Sequence, residues 1–385
     1  MKADKYLLGL LTLGVFAILN TEMGVMGILP HIAEEYKVSL PTAGLLMSGF
    51  ALVVALAGPT MPLLFSKMER KRTMLIALGM FTVCGWISVF SPTFTILLLS
   101  RILPAFFHPV YVSMAFSMAA TSAAKGESQK SVAKVFIGVS AGNLLGIPIS
   151  NFLANYYSLR AAFLFFALVN TLIFIASLIL VKKQPAPEVL SYGKQLAVLK
   201  RSNVWLAIMT VILLNGATLG FSSYITAYLT SVSQIEANLV SLTLLGFGIF
   251  NILGNELAGR LLSKYANPTI AVLPLAVLFA FIGLFFFGEI RPVLFLLLII
   301  LGVLFGLSGN VNQYMISQSA KDAPDFANGL FLSSANIGVT VGTSICGYFI
   351  GQSNQINRSI IGSCLLLVIA IFFIILQFRP KKRTA

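Results

Sequence analysis

The chain has 385 residues, 58% of them hydrophobic and only 10% charged, with a formal net charge of +14. Soluble domains carry about 25% charged residues, so a chain this poor in charge cannot coat itself for water, and its solvent is lipid. No G-x-x-x-x-G-K-[ST] or H-E-x-x-H pattern occurs in it, which argues against a P-loop ATPase or a zinc-dependent hydrolase, and no metal or cofactor is expected.

At about 20 apolar residues per crossing, twelve spans are expected, at 6–29, 41–65, 73–91, 94–119, 131–154, 159–182, 203–229, 237–262, 268–288, 293–318, 326–351 and 357–379. Long runs without period-two alternation are helices rather than barrel strands, so the fold class is an all-α membrane protein. Lys2 and Lys5 before an apolar run imitate a secretory leader, but that run continues to Leu29 and offers no obvious cleavage site. The first span is therefore expected to be retained.

Within it, "AILNTEMGVMG" places Glu22 among hydrocarbon, beside Asn20 and Thr21. A charge at bilayer depth costs at least ~2.5 kcal/mol, so Glu22 calls for a partner. The fourth span supplies Arg101 seven residues from its start, and Glu22 lies seven residues from the outer end of the first, about 10 Å deep in each case. His108 follows two turns further along nearly the same face. The expected constellation is a Glu22–Arg101 pair with His108 below it. One reading is a proton site, in which a carboxyl that is alternately wetted and dried changes its hold on protons and His108 relays them or contacts solute. The other is a fixed bridge between the two spans.

On the fifth span, Gly138, Gly142 and Gly146 repeat at small-xxx-small spacing, followed by Pro148; Gly338 and Gly342 repeat the spacing on the eleventh. Such faces let backbones meet closely, and Pro148 favours a kink; together they read as a hinge and seal. The longest hydrophilic break, "VKKQPAPEVLSYGKQLAVLKRSN", divides the chain into 1–182, a linker 183–202 and 203–385, six spans on each side. Its "SYGKQLAVLKR" segment reads as a short amphipathic surface helix.

In the second half the intramembrane polar residues are Asn215, Tyr224 and Tyr228 on the seventh span, Asn251 and Asn255 on the eighth, Asn310, Asn312, Gln313 and Tyr314 on the tenth, and Asn336 on the eleventh. With Asn20 and Asn143 of the first half, they suit a neutral, hydroxyl-rich small-molecule substrate; interhelical hydrogen bonding is the competing explanation for each. Glu256 and Arg260 are spaced for an ion pair on a helix surface. Cys84, Cys346 and Cys364 are scattered through apolar spans and read as packing residues.

With both termini cytoplasmic, 21 of the 26 Lys and Arg fall in inside segments, four (Lys37, Arg160, Arg291 and Arg358) fall outside, and Arg101 lies within a span. This is the positive-inside bias of a multi-pass inner-membrane protein. The basicity is topogenic, so no nucleic-acid partner is expected; the partners are lipid, protons and the solute, and the chain is expected to act as a monomer.

The halves echo one another: Leu64-Phe65-Ser66-Lys67 and Leu261-Leu262-Ser263-Lys264 occupy matching loops. The first of these loops resembles that of the major facilitator superfamily, roughly G-x-L-a-D-r-x-G-r-k, in Leu64, Lys67, Arg70 and Lys71. The family's Asp is Ser66 here and its glycines are Pro62 and Glu69, so its usual carboxylate gate contact is not expected in standard form. With "RILPAFFHP" and "LLGIPIS", the chain resembles the drug/proton-antiporter-type exporters, which include sugar-efflux and purine-nucleoside-efflux proteins. The resemblance implies two pseudo-symmetric six-helix bundles around a midplane site, with Ser66, Lys67, Glu69, Arg70, Lys71, Gly142, Gly146 and Pro148 in gating positions. It also implies export coupled to protons, with uptake by symport and a non-transporting sensor as the alternatives.

Overall fold

The structure, a computed structural model, describes residues 5–65, 68–122, 128–182, 196–321 and 324–378. Where no water reaches the backbone, every N–H and C=O must be satisfied within its own segment, and among the described residues the regular elements are all helical. The first half holds α1 (Lys5–Glu35), α2 (Leu40–Ala43), α3 (Leu45–Ala57), α4 (Met61–Leu64), α5 (Arg70–Val89), α6 (Phe94–Ala105), α7 (His108–Ser122), α8 (Ser128–Tyr156) and α9 (Leu159–Leu180). The second holds α10 (Ser202–Ser222), α11 (Ile225–Ser231), α12 (Ala237–Phe287), α13 (Arg291–Ser319), α14 (Pro324–Ser353) and α15 (Ser359–Phe378).

Several expected spans differ in shape. The second ends early, at Ala57, and resumes as the short α4, because Pro59 supplies no N–H to continue the ladder. The fourth is broken at Phe106–Phe107 between Pro104 and Pro109, which makes His108 the first residue of a new helix. The seventh is interrupted at Ser223–Tyr224. The eighth and ninth follow one another without an intervening loop as the 51-residue α12, two helices joined across a kink at Tyr265, at φ −134° and ψ 45°. At 1.5 Å per residue such a helix is about 75 Å long, far more than a ~30 Å hydrocarbon core. The chain must therefore turn at Tyr265 and cross twice, which restores twelve crossings. Of the expected amphipathic linker helix, only a 3-10 turn at Leu196–Lys200 falls within the described residues.

Each half has its own core. One apolar cluster is drawn wholly from residues 198–374 and is built on edge-to-face rings: Phe221 meets Tyr228 at 5.5 Å and Phe281 at 5.2 Å. Two others, drawn from residues 7–181, centre on Phe50, Phe81 and Tyr111 and on Met26, Phe163 and Phe166. Outside these cores, Phe279 and Phe286 are each 69% exposed and Leu172 is 66% exposed. An apolar surface of this kind suits lipid and not water.

The halves repeat one crossing. A Cβ placed on Gly146 of α8 would come within 3.2 Å of Asn20 and Gly24 of α1, and one on Gly342 of α14 would strike the backbone of Gly216 on α10. These glycine faces seal each half's first helix to its fifth span, where two backbones approach without side chains between them. The loops that follow α1 and α11 each turn through one left-handed residue, Lys37 (φ 53°) and Gln234 (φ 50°).

Hydrogen bonds tie the halves at one end: Ser241 donates to Asn151 Oδ1 (2.7 Å), Thr226 to Met26 O (3.2 Å) and Thr340 to Ser48 O (3.1 Å). His31 Nε2 lies 3.0 Å from Asn155 Oδ1, Asn155 donates to Asn151 Oδ1 (2.9 Å), and Asn151 donates to Gly27 O (2.8 Å), which extends this latch along α1 and α8. The opposite end carries Lys71, Arg72, Arg260 and Lys264, and there Asn255 and Gly309 at the mouth of the central cavity are exposed.

Candidate functional site

Between the halves lies a cavity of about 360 Å³ that opens toward the basic end. From the first half come Glu22, Met23 and Met26 of α1, His108 of α7, and Ser140, Asn143 and Pro148 of α8; from the second come Asn215, Thr218 and Ser222 of α10, Asn251 and Asn255 of α12, and Asn336 of α14. Phe247, Phe305 and Phe331 supply much of the apolar wall. Among the described lining residues, Glu22 and His108 are the only ones able to ionise.

The break between α6 and α7 decides how these two meet. His108 begins a helix whose second residue, Pro109, needs no N–H partner there, and its ring is carried to the α1 turn holding Glu22. His108 Nε2 lies 3.1 Å from Glu22 Oε2, within ion-pair distance, and both side chains are more than nine-tenths buried. The approach is out of line for a hydrogen bond, and His108 Nδ1 has no hydrogen-bond partner. The pair thus meets at the cavity wall at ion-pair distance without an aligned hydrogen bond.

Arg101 departs from expectation. Its guanidinium does not hold the Glu22 carboxyl; it donates to the main-chain oxygens of Thr21 (2.8 Å) and Glu22 (3.4 Å). Main-chain carbonyls present their oxygens at the helix surface nearer to α6, while the carboxyl points on toward α7. The same α1 turn is anchored from α9, since Asn170 donates to Thr21 Oγ1 at 2.9 Å. Thus α6 holds the main chain around Glu22, α9 holds the Thr21 hydroxyl beside it, and the carboxyl is left to α7.

Of the polar residues expected to face solute, Asn143, Asn215, Asn251 and Asn336 do line the cavity. Asn215 donates to Ala335 O (2.8 Å) and accepts from Asn312 (3.4 Å), which spans α10, α13 and α14. Others lie elsewhere. Asn20 is fully buried against α8, with neither amide atom partnered. Past the α10–α11 break, Tyr224 donates to Thr343 O (3.1 Å) at the latched end, and Tyr228 is locked in the aromatic core, donating to Leu284 O (2.7 Å). Asn310 is turned to α12, donating to Asn255 Oδ1 (2.7 Å). Tyr314 packs on the second-half core, and Gln313 does not line the cavity. Both asparagines of the α13 turn "NVNQY" thus spend their amides on neighbouring helices.

The sequence reading missed Thr218 and Ser222, while Asn255, one of the polar residues that it named, does line the cavity. Asn215, Thr218 and Ser222 sit at i, i+3 and i+7, one face of a helix, a signal open to inspection in the sequence. In the motif loop, Ser66 and Lys67 lie outside the described residues. Glu69 pairs with Arg72 (3.4 Å) and Lys71 donates to Leu178 O (2.9 Å), while Arg70 opens α5. Glu256 and Arg260 form an exposed pair at 2.6 Å.

A family model, the Major Facilitator Superfamily, matches residues 11–343. The "Inner membrane transport protein YdhP" of Escherichia coli K12 is 26% identical over 384 residues, spanning 100% of this chain and 98% of that relative. A "Probable sugar efflux transporter" of Helicobacter pylori is 27% identical over 371 residues, 96% of this chain and 95% of the relative. Among solved structures, a bacterial homolog of the human lysosomal transporter Spinster, described as inward-facing and unoccupied, superimposes with a TM-score of 0.80 at 15% identity, covering 98% and 97% of the two chains. The nucleoside transporter NupG (D323A mutant) gives 0.77 at 13% identity, covering 97% and 100%.

Proposed function

The chain belongs to the Major Facilitator Superfamily, and from that premise we propose that it exports a small neutral solute in exchange for protons. At the coarser level it is a multi-pass membrane transporter, with a small molecule as its cargo and no enzymatic chemistry. Alternating access provides the exchange: residues 1–182 and 203–385 rock about the central cavity, joined by the 183–202 linker.

One observation carries the proton reading. In a cavity otherwise built of amides, hydroxyls and apolar groups, the ionisable lining residues are a carboxyl and an imidazole 3.1 Å apart. Such a pair is neutral overall when both members are charged or both are uncharged, so it shelters a proton at either site. When the cavity opens to an acidic exterior the pair gains a proton, and when it opens to the interior the proton leaves. Binding of solute between the pair and the amides of Asn143, Asn215, Asn251 and Asn336 makes the two events exclusive, which is antiport.

The basic residues favour cytoplasmic termini, which turns the open end of the cavity to the cytoplasm, as loading for export requires. The neutral polar lining and the efflux name of a relative both support export of a hydroxyl-bearing solute. The protein acts as a monomer in the inner membrane, with its exposed Phe and Leu side chains in lipid.

The test begins with a thermal-shift screen of purified protein against sugars, nucleosides and hydrophobic drugs, since a ligand that binds the folded state raises its melting temperature. A hit is then followed in proteoliposomes with an imposed pH gradient. Wild type should accumulate solute against its gradient, and Glu22→Gln should still equilibrate it without pH-driven accumulation. Unchanged accumulation by Glu22→Gln would remove the proton role.

A further inference from the structure

Phe50 of α3 is 1% exposed and touches both basic groups of the site. The guanidinium carbon of Arg101 lies 5.1 Å from its ring centroid. The His108 ring meets it nearly perpendicular, at 79° and 6.0 Å.

The ring matters because two basic groups stand near one carboxyl. Arg101 keeps its charge under all ordinary conditions. A permanent cation in contact with a carboxylate holds it in the charged form, and such a carboxyl cannot carry protons. In the structure the negative face of the Phe50 ring attracts the guanidinium, whose N–H groups are meanwhile directed to the oxygens of Thr21 and Glu22. The carboxyl is left to His108, a group that can itself change charge.

We propose that Phe50 is a positioning residue: it parks Arg101 against the α1 main chain and so keeps the Glu22 carboxyl free to exchange protons with its histidine partner. This rests on the proton reading given above. The other groups able to titrate around the carboxyl are few. Among the described residues, α1 contributes Glu22, α6 Arg101, and α7 His108 and Tyr111, whose hydroxyl lies against Gly14. The lining of α8 is Ser140 and Asn143, and that of the second half is amide, hydroxyl or apolar. Phe50 is the contact common to Arg101 and His108.

The experiment is a pH titration of full-length protein reconstituted in lipid, read from the infrared band of the protonated carboxyl that Glu22→Gln removes. Phe50→pentafluorophenylalanine, introduced at that one codon, keeps the ring's shape and reverses the electrostatics of its face. Proton affinity of the Glu22 carboxyl should fall at least tenfold, about one pH unit, as Arg101 leaves the ring and reaches the carboxylate. Phe50→Trp, which retains a cation-binding face, should titrate close to wild type; if it does not fold, the isosteric fluorinated variant decides alone. Coincident titration of the fluorinated and wild-type proteins would reduce Phe50 to packing and overturn the proposal. If the Glu22→Gln-sensitive band fails to titrate even in wild type, the proton reading falls first and this one with it.

Discussion

The two halves build the same crossing and put different chemistry beside it. Gly24 and Gly146 meet where α1 passes α8, and Gly220 and Gly342 meet where α10 passes α14. Two residues before Gly24 stands Glu22, facing His108; two residues before Gly220 stands Thr218, whose hydroxyl bonds to Leu214 O and Asn215 O of its own helix. A shared backbone thus carries a titratable pair on one side of the cavity and satisfied neutral groups on the other. The scaffold tolerates either, provided that a buried charge has a partner. Helix crossing and charge placement are separable properties of this fold.

The most forceful way to break the comparison is to put the acid on the wrong side. Thr218→Glu would bury a carboxyl with no basic group across from it among the described residues, since their one imidazole in the cavity lining is already beside Glu22. A charge buried without its partner costs about 3–5 kcal/mol, so this variant should lose most of its folded yield in detergent. Thr218→Gln, polar and uncharged, should retain nearly all of it, as measured by size-exclusion recovery and thermal unfolding.

A smaller effect sharpens the comparison at the seams. A Cβ on Gly342 would strike Gly216 backbone, which cannot yield, whereas one on Gly146 would approach Asn20 and Gly24 at 3.2 Å, where tenths of an ångström suffice. Overpacking of this kind costs about 1–3 kcal/mol. Gly342→Ala should therefore sit at the upper end and Gly146→Ala at the lower, and equal losses in melting temperature would mean that the two seams are not packed as described.

The smallest effect concerns the latch that joins the halves. Ser241→Ala removes the 2.7 Å bond to Asn151 while leaving Asn151 bonded to Asn155 and Gly27. A hydrogen bond is worth about 1 kcal/mol net, enough to shift the balance between open and closed about fivefold. Labelling of a cysteine introduced at Thr226, on a background lacking the three native cysteines, should accelerate by that factor. Unchanged labelling would show that the apolar contacts of this end, and not the Ser241–Asn151 bond, keep it shut.

Most of the fold was legible because lipid makes a simple demand: about twenty apolar residues per crossing, basic residues at the ends. The chain met it so plainly that even the α12 turn at Tyr265 falls within the expected break. The site was legible in its members and less so in its pairing. Depth along a helix placed Glu22 and Arg101 at one level with His108 two turns below, but which atoms meet depends on the break at Phe106–Phe107 and on a ring from α3, neither of which spacing alone reveals. Counting polar residues likewise marked Tyr228 and Gln313, because composition reports that a group is buried in lipid and not whether it faces a neighbour or a void. The α10 face of Asn215, Thr218 and Ser222 was there to be read by periodicity.

Among the described residues, the cavity's ionisable lining comes from one half alone, and this has a consequence for how such proteins diversify. Substitutions on α10, α12 and α14 can alter which molecules fit without disturbing the acid and its imidazole, so the halves are free to drift at different rates. A lineage built this way could broaden its cargo repertoire by sampling one module while its power source stays untouched.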